Sequence, residues 1–230
     1  MRKPVVNYKN FRLSKIGNPE YNHLIYLGAW FIYFAMYYLT EKFIPTESCH
    51  IVHCWLDDVI PFCEVFVIPY VLWYLLIAGS LFYFALYNPK NLKGMMKFII
   101  VTQVVSMIIY IVFPNKQMLR PDLSTLGREN IFTRVVGWLY SVDTNTNVCP
   151  SLHVAYSLGI ASSWLKEKNA STWVKTAITV LCILICFSTA FIKQHSTVDA
   201  FVAFIMCIFA EWFAYGRYWK EKFKTKTIKL

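Results

Sequence analysis

Six long apolar stretches, separated by short polar segments, fix what this chain can fold into. They run Leu24–Phe43, Phe62–Leu86, Met95–Phe113, Ser151–Leu165, Val174–Phe191 and Val198–Tyr215. A helix needs about 20 apolar residues to cross about 30 Å of hydrocarbon. Most of the stretches reach that length, and the fourth is shorter. Two readings of the fourth stand: it extends through Lys166 and Lys168 by snorkelling, or its outer end lies below the membrane surface. Hydrophobic residues make up 57% of the chain and charged residues only 16%, which is too apolar for an ordinary soluble domain. Long leucine and aromatic runs are also unlike the alternating segments of an outer-membrane barrel. The expected class is therefore all-α: a polytopic membrane protein with six transmembrane helices.

Charge placement sets the expected topology. Arg2, Lys3, Lys9, Arg12 and Lys15 precede the first stretch, and Lys90, Lys93 and Lys97 follow the second. Lys166, Lys168 and Lys175 lie between the fourth and fifth, and Arg217, Lys220, Lys222, Lys224, Lys226 and Lys229 follow the sixth. If six helices alternate, these seventeen of the 23 cations share one side. Glu47, Asp57, Asp58, Asp122, Glu129 and Asp143 fall on the other. The positive-inside rule then puts both termini in the cytoplasm of a multi-pass cell-membrane protein. It also divides the chain into a basic tail over 1–21, a six-helix domain over 22–216 and a basic tail over 217–230. The net charge of +10 is explained by topology and by anionic lipid head groups. Spread in this way, it argues against nucleic acid as a partner. The first stretch is too long for a signal h-region and has no clear cleavage site before Pro45, so it is expected to be retained.

The outer loops carry Cys49, Cys54, Cys63 and Cys149. Four thiols in an oxidising compartment allow three pairings, and the sequence does not choose among them. Cys49, His50, His53 and Cys54 are metal-ligand types, but one six-residue stretch seldom supplies a whole zinc site. No metal is expected there. Asp57-Asp58 suits a helix cap. The segment Glu129–Tyr140 sets Ile131, Val135, Trp138 and Leu139 at helical spacing, which predicts a short amphipathic helix, either interfacial or packed on the bundle.

The chemistry-bearing residues gather at the outer ends. Cys149-Pro150-Ser151-Leu152-His153 opens the fourth stretch, where proline suits the first helical positions and free N–H groups can hold an anion. Ser188 and Thr189 end the fifth stretch, and Lys193-Gln194-His195 leads through Ser196-Thr197 to Asp199 in the sixth. Residues four apart share a helix face, so His195 and Asp199 are within reach of each other. Ionisable groups at membrane depth are costly and mark functional sites by default. Two histidines, a carboxylate and the nearby cations Arg120 and Lys193 match the needs of phosphoryl transfer. The cations neutralise oxygens, one histidine attacks, and the other protonates the leaving group.

These residues resemble the type 2 phosphatidic acid phosphatase (PAP2) superfamily, marked by Lys-x6-Arg-Pro, Pro-Ser-x-His and Ser-Arg-x5-His-x3-Asp. Here Arg120-Pro121, Pro150-Ser151-Leu152-His153 and Ser188…His195…Asp199 correspond, over roughly residues 22–216. The resemblance implies that His195 is the nucleophile forming a phosphohistidine, Asp199 its partner and His153 the general acid. It implies Arg120, Ser151 and Ser188 as phosphate ligands, with no metal or cofactor. Two cations of the pattern are absent: Phe113 stands for the lysine and Thr189 for the arginine. Lys193, and after it Lys116, are the expected replacements. The Lys-Gln-His variant is similar to a branch that includes relatives of inositol phosphorylceramide and sphingomyelin synthases, which pass a phospho-head group to a lipid alcohol. The first expectation is a phosphatase acting on a lipid phosphate or diphosphate at the non-cytoplasmic leaflet. The alternative is such a phosphotransferase. Undecaprenyl diphosphate, phosphatidate and phosphatidylglycerol phosphate all fit the first reading.

Overall fold

A computed structural model of the chain describes residues 3–227. It is all-α, 73% helical. In order come α1 (Ala29–Phe43), α2 (Trp55–Val59), α3 (Val67–Tyr87), α4 (Pro89–Val112), α5 (Ile131–Val142), α6 (Leu152–Leu165), α7 (Thr172–Phe191) and α8 (Thr197–Thr227). Four of them are long and apolar enough to cross a membrane: Glu64–Tyr87, Pro89–Val112, Thr172–Phe191 and Thr197–Lys222. The six-pass expectation is met in that part only. Helices α1 and α6 have 15 and 14 residues. At 1.5 Å per residue each is about 22 Å long, short of the hydrocarbon thickness. A seven-residue 3-10 run, Asn22–Gly28, leads into α1.

Local chemistry explains the helix starts. The Asn88 side chain accepts from the Asn91 N–H and Pro89 takes the first helical position, so a single residue turns α3 into α4. Ser151 and Ser171 cap α6 and α7 in the same way. Helix α6 is the hub, packing against α4, α7 and α8. Close approach there depends on missing side chains. A Cβ on Gly159 would sit 2.5 Å from the Phe98 ring, and one on Gly94 would sit 2.6 Å from the Tyr215 ring. Larger residues at these points would overpack the core at about 1–3 kcal/mol each.

Polar groups knit the bundle at the end away from the histidines. Asn91 Nδ2 donates to the Ser163 carbonyl at 2.8 Å, Tyr215 Oη meets Ser163 Oγ at 2.8 Å, and Trp164 Nε1 donates to Ser80 Oγ at 2.9 Å. Lys166 Nζ pairs with Glu211 at 2.6 Å. Such groups need internal partners wherever water is excluded. The N-terminal segment docks at this end too: the Val5 N–H donates to the Leu86 carbonyl and Tyr8 Oη to the Ala85 carbonyl.

At the opposite end the long loops fold over the bundle. His50–Ile51 pairs in parallel with Asn115–Lys116, and Lys116 bridges to Thr146. The Cys-His loop disperses its ligand-type residues: His53 pairs with Asp58 at 2.9 Å and Cys54 Sγ lies 3.0 Å from Thr197 Oγ1. All seven thiols are free. Among the described residues, no group of three or more His, Cys, Asp or Glu is placed to hold a metal ion. The helix expected over 129–140 forms as α5, two residues later, capped by Asn130. Its buried face differs from the expected stripe. Thr133, Val136 and Leu139 face inward against α3, whereas Ile131 and Trp138 are exposed. Apolar residues occupy two faces of this helix, and the periodicity alone did not say which one packs.

Candidate active site

The turn between α7 and α8 presents His195. The Thr189 carbonyl accepts both the Gln194 N–H at 2.9 Å and the His195 N–H at 3.0 Å. Lys193 completes the turn with φ of 55°, the left-handed region. Asp199, in the first turn of α8, accepts the Ser196 N–H at 2.9 Å and lies 3.2 Å from His195 Nδ1. The Val148 carbonyl lies 3.0 Å from the same nitrogen. A carbonyl oxygen can only accept, so Nδ1 carries the proton. Nε2 is thereby the unprotonated nitrogen of His195, and it faces His153 Nδ1 at 3.4 Å.

His153 sits in the first turn of α6, behind the Ser151 cap. Its ring lies between aromatic residues of α3, stacked on Tyr70 at 4.4 Å and tilted against Trp73 at 4.1 Å. Sequence spacing did not reveal these two rings, because α3 is some 80 residues away in the chain. Cys149 is buried beside Asp199. Burial and that carboxylate push its thiol up to about 12, which keeps it protonated at neutral pH.

The phosphate-ligand candidates divide. Arg120 is in place. Its Nη2 donates to Gln194 Oε1 at 2.6 Å and to the carbonyls of Asp143 and Thr144, Nη1 donates to the Tyr140 carbonyl, and the guanidinium covers the Tyr140 ring at 4.6 Å. Ser151 and Ser188 are fully buried next to the histidine turns. Ser151 Oγ accepts the Val154 N–H, and Ser188 Oγ donates to the Ile185 carbonyl of its own helix. The two lysines are elsewhere. Lys193 Nζ donates to the Asp57 and Ile60 carbonyls at 2.6 and 2.5 Å, and Lys116 Nζ to the Thr46 carbonyl at 2.8 Å. Neither amine contacts a histidine. For Lys193 the reason is the left-handed turn, which aims the side chain at the end of α2 while the next two residues face the histidine pair.

Asp57 is more than a cap. It does cap α2, accepting the Cys54 N–H at 2.9 Å. It also accepts from Ser196 Oγ at 2.5 Å, the Thr197 N–H at 2.7 Å and Thr197 Oγ1 at 2.9 Å. Burial alone would raise this carboxyl; the four hydrogen bonds outweigh burial and hold it below its ordinary value. Asp57 and Lys193 together clasp the first outer loop to the turn that carries His195.

Both histidines open into a cavity of about 550 Å³. Trp30, Tyr33 and Phe34 of α1 and Trp73, Ile77 and Leu81 of α3 form its deep walls. Gln194, the middle residue of the Lys-Gln-His motif, and Asp143, which no motif singled out, lie at its histidine end. A model of the PAP2 superfamily matches residues 96–223, more than half the chain and the part that carries Arg120, both histidines and Asp199. The chain belongs to the PAP2 superfamily. No curated protein and no solved structure matches it. The histidine pair lies inside the matched region, and the α1 and α3 walls lie before it.

Proposed function

We propose that the protein is an integral-membrane lipid phosphatase that works through a phosphohistidine on His195. One observation carries this reading: the Val148 carbonyl and Asp199 fix the proton on Nδ1 of His195 and leave Nε2 as a nucleophile beside His153. Nε2 attacks phosphorus and the bond to the leaving oxygen breaks. His153 gives that oxygen its proton, and Asp199 stabilises the imidazolium that forms. A water then attacks the phosphohistidine, the N–P bond breaks, and the water proton passes to His153. Arg120, joined to the His195 turn through Gln194, supplies positive charge to the transferred group.

The substrate is a lipid phosphate or diphosphate whose tail occupies the apolar cavity between α1 and α3. The chain passes the membrane six times over 22–216, with α1 and α6 as short passes. The basic tails over 1–21 and 217–230 are cytoplasmic, and the site opens at the non-cytoplasmic leaflet. The seventeen one-sided cations support this orientation.

A second reading, transfer of a phospho-head group to a lipid alcohol as in the sphingomyelin synthase-like branch, draws on the cavity walls. An alcohol held in an apolar cavity beside His195 competes with water for the phosphohistidine. The test is purified protein on a panel of lipid phosphates, with and without diacylglycerol. An acid-labile phosphoenzyme that His195→Ala abolishes, together with free phosphate, supports the first reading. A new head-grouped lipid without free phosphate supports the second. No phosphoenzyme on any lipid in the panel would sink both.

A further inference from the structure

The strip 147–151 brings the Val148 carbonyl to His195, and it belongs to no helix. Buried backbone outside regular structure needs partners from elsewhere. Most of them come from one residue, Asn115. Its Oδ1 accepts the Val148 N–H at 2.9 Å and the Cys149 N–H at 2.7 Å. Its Nδ2 donates to the Cys149 carbonyl at 2.9 Å and to the Phe113 carbonyl at 3.0 Å. Its own carbonyl accepts the Asn147 N–H at 2.8 Å. Further along, Tyr110 Oη donates to the Pro150 carbonyl at 2.8 Å, and the Ser151 N–H donates to the Asp199 carbonyl at 3.1 Å.

An asparagine amide has two donor hydrogens and two acceptor lone pairs. Asn115 is fully buried and uses all four. The amide is held one way round: turned over, its nitrogen would meet two N–H donors and its oxygen two carbonyls. The residue also stands on a fixed base, in the strand pair with His50–Ile51, where the His50 N–H donates to the Pro114 carbonyl and the Val52 N–H to the Lys116 carbonyl, each at 2.8 Å. What this grip delivers is one oxygen. The Val148 carbonyl and the Cys149 N–H belong to a single planar trans peptide, so they point in opposite directions. Drawing the N–H to Asn115 turns the carbonyl away from it, toward His195 Nδ1 at 3.0 Å. Asp199 Oδ2 lies 3.2 Å from the same nitrogen. One acceptor would leave the ring free to swing about a single bond; two acceptors fix its plane.

We propose that Asn115 is a positioning residue for the attack at phosphorus: by fixing the Val148–Cys149 peptide it orients the His195 ring and keeps Nε2 facing the incoming group. It acts from behind the strip rather than from the cavity wall. The inference rests on His195 as the nucleophile.

Two variants test it. Asn115→Asp keeps the size and one acceptor oxygen, and sets a second oxygen against the Cys149 and Phe113 carbonyls. Asn115→Ala removes the grip. Full-length wild type and both variants, with isotope-labelled histidine in an uncharged maltoside detergent, are compared by NMR without substrate; His195→Ala identifies the His195 signals. The expected result is a proton on Nδ1 in wild type that moves downfield in both variants, because Asp199 becomes its sole acceptor and a bond to a carboxylate is the stronger. In turnover of dioctanoyl phosphatidate, kcat is expected to fall roughly 10²-fold, the cost of about an ångström of misplacement. KM is expected to stay within about twofold, since the deep cavity walls are untouched. A proton that does not move in a folded variant overturns the proposal, as does wild-type kcat or an equal change in KM. Loss of the folded state in both variants, read by thermal melts, overturns it too, since Asn115 would then serve stability alone. Wild-type protein that forms no phosphoenzyme on any lipid is a separate failure, that of the phosphatase reading. The proton measurement uses no substrate and still decides whether Asn115 sets the ring.

Discussion

Helices α1 and α6 are nearly equal in length, and both border the same cavity, yet they are built to opposite patterns. In α6, ten of fourteen residues are buried, and the helix packs against α4, α7 and α8. In α1 only Thr40 is buried, and Phe31, Ile32, Phe34, Tyr38 and Phe43 are exposed. Helix α6 lies inside the family-matched region and carries His153; α1 lies outside it and forms part of the cavity wall. The contrast separates two tasks. Attack at phosphorus needs a second histidine held near van der Waals distance of the first, so its helix is locked on three sides. On the proposed function, the cavity that takes up a lipid needs a wall held by fewer packed contacts.

The locked side should show the largest effects. His195→Ala removes the covalent route and is expected to lower turnover by on the order of 10⁴-fold or more, alike for every lipid tried. His153→Ala is expected to lose roughly 10²–10⁴-fold, most on poor leaving groups, where an acid matters most. Initial rates on a common substrate panel check both. Wild-type-like rates in either variant would break the assignment of chemistry to the locked side.

Asp57 tests whether that lock reaches into the first outer loop. Asp57→Ala leaves Ser196 Oγ, the Thr197 N–H and Oγ1, and the Cys54 N–H without their acceptor. A buried polar group left unpaired costs about 1–3 kcal/mol. Misplacing the His195 turn by about an ångström is worth about 10²-fold in kcat. KM should change little, because the cavity wall is untouched. The pH dependence has a definite sign. The folded protein holds this carboxyl below its ordinary value. The stability it confers is therefore present above the unfolded value and is lost as pH falls through the folded one. In thermal melts from neutral pH downward, the gap between wild type and Asp57→Asn should narrow as pH falls below the ordinary carboxyl value. Parallel melts across that range would remove Asp57 from the lock.

How much of this was legible in the chain follows the same divide. His195 and Asp199 come together because one helical turn separates them, and a proline and a serine cap set His153 at the start of its helix; the meeting of the two histidines followed only from the resemblance to the PAP2 motifs. The α3 and α4 spans were legible from length and hydropathy, and the shortness of α6 from its own stretch. What spacing could not carry was anything made across the fold. Asp57 reaches Thr197 over 140 positions of chain. Asp143 reads as an ordinary loop acid until the cavity is seen around it. Lys193 is the instructive failure: nearness in sequence to His195 suggested nearness of charge, and one left-handed residue turned the amine the other way.

The open side should respond in KM. Ala78, on α3 within the cavity wall, can be replaced by tryptophan to narrow the cavity without touching a histidine contact. Ala78→Trp is expected to raise KM for a long-chain lipid roughly tenfold with kcat held, the signature of lost uniform binding. A short-chain substrate should be spared. An equal loss on both chain lengths, or a fall in kcat, would mean that the wall and the histidine pair do not act separately.

Lys193→Met should give the smallest catalytic effect, and it sharpens where the lock ends. If the amine served the transferred phosphate, losing it would remove a transition-state donor and cost about 10²-fold in rate. In the structure its donors go to the Asp57 and Ile60 carbonyls. Hydrogen bonds made by a charged group are worth about 1.5–3 kcal/mol, so the loss should appear as a lower melting temperature. Methionine keeps the apolar stem, and the Thr189 carbonyl still gathers the N–H groups of Gln194 and His195. The turn then survives at temperatures well below the melt, and kcat/KM should stay within about threefold of wild type, a change of under about 0.7 kcal/mol. Thr189→Arg added to this variant should restore no stability, because an arginine there would sit at the α7 end, away from α2. A hundredfold loss in kcat/KM that Thr189→Arg repairs would return Lys193 to the phosphate and extend the lock to the lysine itself.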